Sequence, residues 1–106
     1  MSIEEIKEIL QKDSMKDAVL IGLEEDRENY YPAIIKCDEE KGVVTYDYEL
    51  LAECFANEFF NPSEQGADYG QSILDAYEWI DYNVIRALPY WGEHAPIIYE
   101  KEEDDA

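Results

Sequence analysis

Basic residues are scarce in this chain. Eight Lys and Arg stand against 27 Asp and Glu, which leaves a formal charge of −19 on 106 residues. No two of the eight are adjacent, so the clustered cations that neutralise nucleic-acid phosphates are missing. Direct binding to nucleic acid or to an anionic membrane surface is therefore not expected. Cysteine is nearly absent: Cys37 and Cys54 lie 17 positions apart, without the Cys or His spacing of a zinc site. Both read as reduced thiols in or near the core. The longest apolar runs, such as Ala18 to Ile21, fall far short of the roughly 18 residues that span a bilayer. Met1 to Asp13 is charged and amphipathic and lacks the apolar stretch of a secretory signal, so the expected location is the cytosol.

What the chain has in quantity is aromatic and apolar side chains, 13% and 46%, with nine tyrosines. Disordered acidic chains have few aromatics, so this one is expected to fold, and at this length to form one core. The expected organisation is a single domain over 1–99 and an acidic disordered tail over 100–106.

Ser2-Ile3-Glu4-Glu5 is a capping box. Ile3, Ile6, Ile9 and Leu10 follow at helical spacing, which predicts a helix over Ser2–Lys12. Ala18–Leu23 reads as a short buried strand. Tyr30–Cys37 and Val43–Tyr46 read as a hairpin whose connector, Asp38 to Gly42, ends in a glycine able to take positive φ. Pro32 belongs at the start or edge of its strand. Asp47 caps a helix to about Phe60, with Leu50, Leu51, Cys54, Phe55 and Phe59 as its apolar stripe. A loop over Asn61–Gln71 follows. Ser72 opens a longer helix through Leu88, stopped by Pro89, with Ile73, Tyr77, Ile80, Val84 and Leu88 on one face. Pro96–Tyr99 is a final strand. The order α-β-β-β-α-α-β suits an α+β domain, with a small, mainly antiparallel sheet of three to four strands packed against two or three helices.

Three stretches carry a resemblance: Val43-Val44-Thr45-Tyr46-Asp47-Tyr48, then Ala76 through Tyr90, then Gly92-Glu93 before Ala95–Ile98. Over about 33–98 the chain resembles small uncharacterised acidic proteins of phages, prophages and mobile elements of Gram-positive bacteria. It departs from them in the Asn61–Gly70 loop and in its heavy acidic load. The resemblance transfers no activity. It implies a phage-like setting, in which small acidic proteins often inhibit host defence enzymes, CRISPR nucleases among them, or host DNA-binding proteins.

From Gly42 to Ile85 the sequence holds nine acidic residues and no Lys or Arg. Such a stretch projects a field able to attract the basic groove of a host protein, as a DNA mimic does. The plainer reading is a solvated face that keeps the protein soluble. On the long helix Asp75, Glu78, Trp79, Tyr82 and Arg86 fall opposite the apolar stripe, where exposed aromatics beside carboxylates suit a protein interface. The alternative for Trp79 is packing under the Asn61–Gly70 loop or on the sheet. The candidate partner-binding residues are Glu49, Glu53, Asp68, Asp75, Glu78, Trp79, Asp81 and Tyr82. A homodimer or assembly role built on the same aromatics, with the charge serving solubility, is the competing reading. Catalysis, metal and cofactor are not expected. His94 has no evident partner, Glu24 to Asp26 and Glu102 to Asp105 lack the spacing of a calcium loop, and the five glycines form no phosphate loop.

Overall fold

The computed structural model describes residues 2–63 and 65–100. The expected tail from 101 onward lies outside the described residues. Helix α1, Ile3–Leu10, begins where the Ser2 hydroxyl accepts a hydrogen bond from the Glu5 N–H at 3.2 Å, as the capping box requires. It buries Ile6 and leans Ile9 and Leu10 on the core.

Ala18–Leu23 is not a strand. Its backbone donors go elsewhere: the Val19 N–H to the His94 carbonyl at 3.1 Å, and the Ile21 N–H to the Tyr46 hydroxyl at 3.1 Å. A short apolar run reads the same whether its backbone joins a ladder or threads the core, which is why the sequence pattern misleads here. Gly22 turns the chain at φ 99°, and a Cβ there would stand 2.5 Å from the Tyr30 ring. Tyr30–Ala33 are not strand either. They belong to a 3-10 helix, Arg27–Ala33, that contains Pro32. Proline fixes φ near the helical value and donates no hydrogen bond, which a tight helical turn accommodates.

Strand β1, Ile34–Asp38, and strand β2, Val43–Asp47, form the expected antiparallel hairpin. Ile34 stands opposite Tyr46 and Cys37 opposite Val44, with a bulge at Ile35 between them. Gly42 closes the connector at φ 63°. Strand β3, Ile97–Tyr99, adds to the other edge of β2 in parallel, so the order is β1-β2-β3 and the sheet is mixed. A parallel partner needs a long crossover, and the helices between β2 and β3 supply it. The architecture is thus α+β, with a three-stranded open sheet. The paired residues Ile34, Cys37, Val44, Tyr46 and Ile98 share one face, and Val44 and Tyr46 are fully buried there.

Helix α2, Tyr48–Phe59, is capped by Asp47, whose carboxylate accepts from the Leu50 N–H at 2.9 Å. Helix α3, Tyr69–Ile80, starts three residues before the expected Ser72. The Asp68 carboxylate caps it by accepting from the Gly70 N–H at 2.9 Å, and aromatic contacts of Tyr69 hold the extra turn. Beyond Ile80 the helix widens into a π turn, Asp81–Ile85, before a 3-10 turn at Leu88–Tyr90. The buried line of this helix is Ser72, Ala76, Ile80 and Val84, while Ile73, Tyr77 and Leu88 are half-buried. Among the described residues no helix is long and apolar enough to cross a membrane.

Candidate acidic and aromatic interface

The cation-free interval folds as one unit. Helices α2 and α3 form an antiparallel hairpin whose inward sides carry small residues, with Ala52, Ala56 and Ala76 all fully buried. Its two ends are pinned by aromatic pairs. At one end Tyr48 stacks on Tyr77 at 5.1 Å and donates its hydroxyl to Asp81 at 2.7 Å. At the other, Tyr69 meets the edge of Phe60 at 5.6 Å and donates to Asn57 at 3.1 Å. Burial, and then the bond to the Asp81 carboxylate, raise the Tyr48 hydroxyl well above its ordinary value, so it stays a donor.

The predicted interface residues divide by what they already touch. Asp68 is committed to the α3 cap and Asp81 to Tyr48. Asp75 receives the Gln71 amide at 3.1 Å on the outer side of α3. Glu49, Glu53 and Glu78 are exposed and accept no hydrogen bond from another described residue. Glu49 and Glu53 lie close enough to Tyr77 that, after burial, their charges help raise its hydroxyl.

Trp79 packs across the helical hairpin onto α2. Its ring sits 4.5 Å from that of Phe55, which packs at the same distance on Tyr30, and 39% of Trp79 remains exposed. Tyr82 is 62% exposed in the π turn, with the Arg86 guanidinium 4.4 Å over its ring. That arginine is the first cation after the acidic interval. The Asn83 side-chain amide in the same turn donates to the Trp79 carbonyl at 3.0 Å. Such π turns are frequent at functional positions because they displace side chains from the regular helical track.

One feature of the site has no local signature in the sequence. A groove of about 430 Å³ runs between the Arg27–Ala33 helix and the outer side of α2, lined chiefly by Asn29, Pro32, Leu50, Glu53, Asn57 and Glu58. Glu58 is held there by the Tyr30 hydroxyl at 2.7 Å and by the Asn29 amide at 3.4 Å. The two walls are 28 and 29 residues apart along the chain, so spacing rules cannot bring them together. Leu50, expected on the apolar stripe of α2, is instead 39% exposed and forms part of this wall.

Little else in the fold offers chemistry. Burial, with a nearby glutamate, raises both the Cys37 and the Cys54 thiol, which keeps them protonated and poor nucleophiles. His94 is half-buried with Nδ1 3.1 Å from the Gly42 carbonyl, where it ties the hairpin turn to the loop before β3. Among the described residues no three His, Cys, Asp or Glu side chains are grouped to hold a metal ion. No protein-family model matches the chain, and no curated protein or solved structure matches it.

Proposed function

We propose that the chain is a non-enzymatic interaction protein of a phage or mobile element, which inhibits a host nucleic-acid-binding protein by laying a DNA-mimicking acidic surface into its basic groove. A CRISPR effector nuclease is the concrete candidate. The observation that carries this reading is that the stretch with nine carboxylates and no cation coincides with one structural unit, from β2 to the π turn. Glu49 and Glu53 lie four positions apart on α2, and Asp75 and Glu78 three apart on α3, so each helix presents a pair of carboxylates about 4.5–6 Å apart along its axis. Exposed aromatic surface at Trp79 and Tyr82 supplies the anchoring area that charge alone lacks.

The test is competition. The chain is titrated into a guide-loaded, cleavage-inactive CRISPR nuclease holding a fluorescent target duplex, at low and high salt. Displacement that weakens as salt rises, and that is lost in Glu49→Gln/Asp75→Asn/Glu78→Gln, supports mimicry. Undiminished competition by that triple variant, with native circular dichroism, would overturn it. Absence of displacement together with a concentration-dependent dimer in sedimentation would favour the assembly reading instead.

A further inference from the structure

The fold leaves the groove beside α2 open, and its lining is selective. Two carboxylates, Glu53 and Glu58, face a space whose chief walls are the apolar Pro32 and Leu50 and the neutral amides Asn29 and Asn57, with no Lys or Arg among them. We propose that this groove receives the side chain of an arginine projecting from the basic partner. The inference rests on the reading above for the nature of the partner, and on the groove alone for its chemistry.

Glu58 is the fixed element. One of its oxygens accepts from the Tyr30 hydroxyl and the other from Asn29. A carboxylate offers about four acceptor positions, so each oxygen retains capacity for a guanidinium N–H. The carboxylate is thus oriented before the ligand arrives, which lowers the ordering cost of binding. Burial first, and then the Glu58 bond, raise the Tyr30 hydroxyl far above its ordinary value, so the pair stays a neutral donor and an anion rather than two anions. The Asn29 amide nitrogen is used on Glu58, which leaves its carbonyl oxygen as a further acceptor. Leu50 and Pro32 give the arginine methylenes an apolar wall, as long cationic side chains require. Arginine suits this lining better than lysine. Its planar fork carries five donors for acceptors spread over several residues, and it is more weakly hydrated than an ammonium, so entering a half-apolar groove costs it less.

The full-length chain is titrated with N-acetyl-arginine methylamide and followed by heteronuclear spectra that resolve the Asn29 and Asn57 side-chain amides. The expected result is a saturable shift confined to those amides and to the Leu50–Glu58 backbone, with no response to the citrulline analogue, which has the same shape without the charge. Glu53→Gln/Glu58→Gln weakens binding about tenfold or more, the loss expected for a charge-assisted hydrogen bond. Because the Glu58 change also removes a partner of Tyr30, Leu50→Arg serves as a second variant. It fills the groove mouth with a tethered cation, leaves the Tyr30–Glu58 bond in place and abolishes the shift. The proposal is overturned by shifts spread evenly over the Glu49, Asp75 and Glu78 surface, by an equal response to the lysine analogue, or by undiminished binding in Leu50→Arg. No host protein enters this titration, so its failure counts against the groove alone, whereas failure of the competition experiment counts against mimicry alone.

Discussion

Trp79 is where stability and binding meet, and Trp79→Ala separates them. The ring covers Phe55 at 4.5 Å but leaves 39% of the residue exposed, so roughly three-fifths of it is removed from water. Truncating a fully buried large aromatic costs about 3–5 kcal/mol. Scaled by the covered share, Trp79→Ala should cost about 2–3 kcal/mol. Trp79→Phe, which keeps a ring over Phe55, should cost about 1 kcal/mol or less. Urea unfolding is the assay, read by circular dichroism because Trp79 is one of only two tryptophans and its removal changes the fluorescence itself. With a slope of about 1.5 kcal/mol per M, the alanine variant should unfold about 1–2 M earlier at unchanged slope. A double-mutant cycle with Phe55→Ala should return a coupling of about 0.5–1.5 kcal/mol, the range for aromatic pairs. A loss below about 1 kcal/mol, or strict additivity with Phe55→Ala, would refute the packing role. If partner binding survives Trp79→Phe but not Trp79→Ala, the same ring serves both the hairpin and the interface.

Gly22→Ala should destabilise the fold by about 3 kcal/mol or more, since the residue sits at φ 99° and its new methyl would meet the buried Tyr30 ring at 2.5 Å. A thermal melt within a few degrees of the parent would contradict this. Burial pushes the Tyr46 hydroxyl up to about 12, against the opposing pull of the Ile21 N–H, while the unfolded phenol ionises near 10.0. Between those values the unfolded chain gives up its proton first, so stability falls as pH rises, by about 2 kcal/mol from this residue at the upper end. Tyr46→Phe should be less stable at neutral pH by about 1–3 kcal/mol, because the Ile21 N–H loses its acceptor, yet show a shallower alkaline decline. An unchanged alkaline slope would sink the assignment. Added salt should raise the melting temperature of a chain carrying −19 while lowering its affinity for a basic partner, and parallel trends in the two measurements would argue that the charge is not the binding element.

The sequence made legible those elements whose signals are local. The Ser2 and Asp47 caps, the hairpin closed by Gly42 and the amphipathic α2 all rest on residues within a few positions of one another. What failed depends on distant partners. Ala18–Leu23 has strand composition, but its donors are taken by Tyr46 and His94, 25 and more residues away. The start of α3 moved because Tyr69 gains Phe60 and Asn57 as neighbours, which outweighs a glycine in its first turn. On α3 the periodicity placed Trp79 on the side opposite the stripe. The buried line runs through Ser72 and Ala76 instead, which moves Trp79 to its edge and allows it to reach Phe55. The groove was invisible because half of it is the Arg27–Ala33 helix, whose proline-containing sequence reads as the start of a strand.

Seven carboxylates of the interval fall into two classes, with Asp75 bonded only to Gln71 of its own helix, and the division bears on how an acid-only unit folds at all. The interval holds no cation and, among the described residues, its helices make no ion pair, so other contacts must offset their mutual repulsion. Asp47 and Asp68 satisfy helix N-terminal donors, where negative charge is favoured by the helix dipole. Glu58 and Asp81 accept from Tyr30 and Tyr48, which turns two charges into staples between elements 28 and 33 residues apart. These four charges therefore support the fold, and removing any of them costs stability whether or not a partner exists. Glu49, Glu53 and Glu78 contribute no such bond among the described residues, and on an isolated domain their repulsion is a net cost. Neutralising them should leave the free protein equally or more stable, so a selective loss of partner binding in those variants would locate the function in charges the fold does not need.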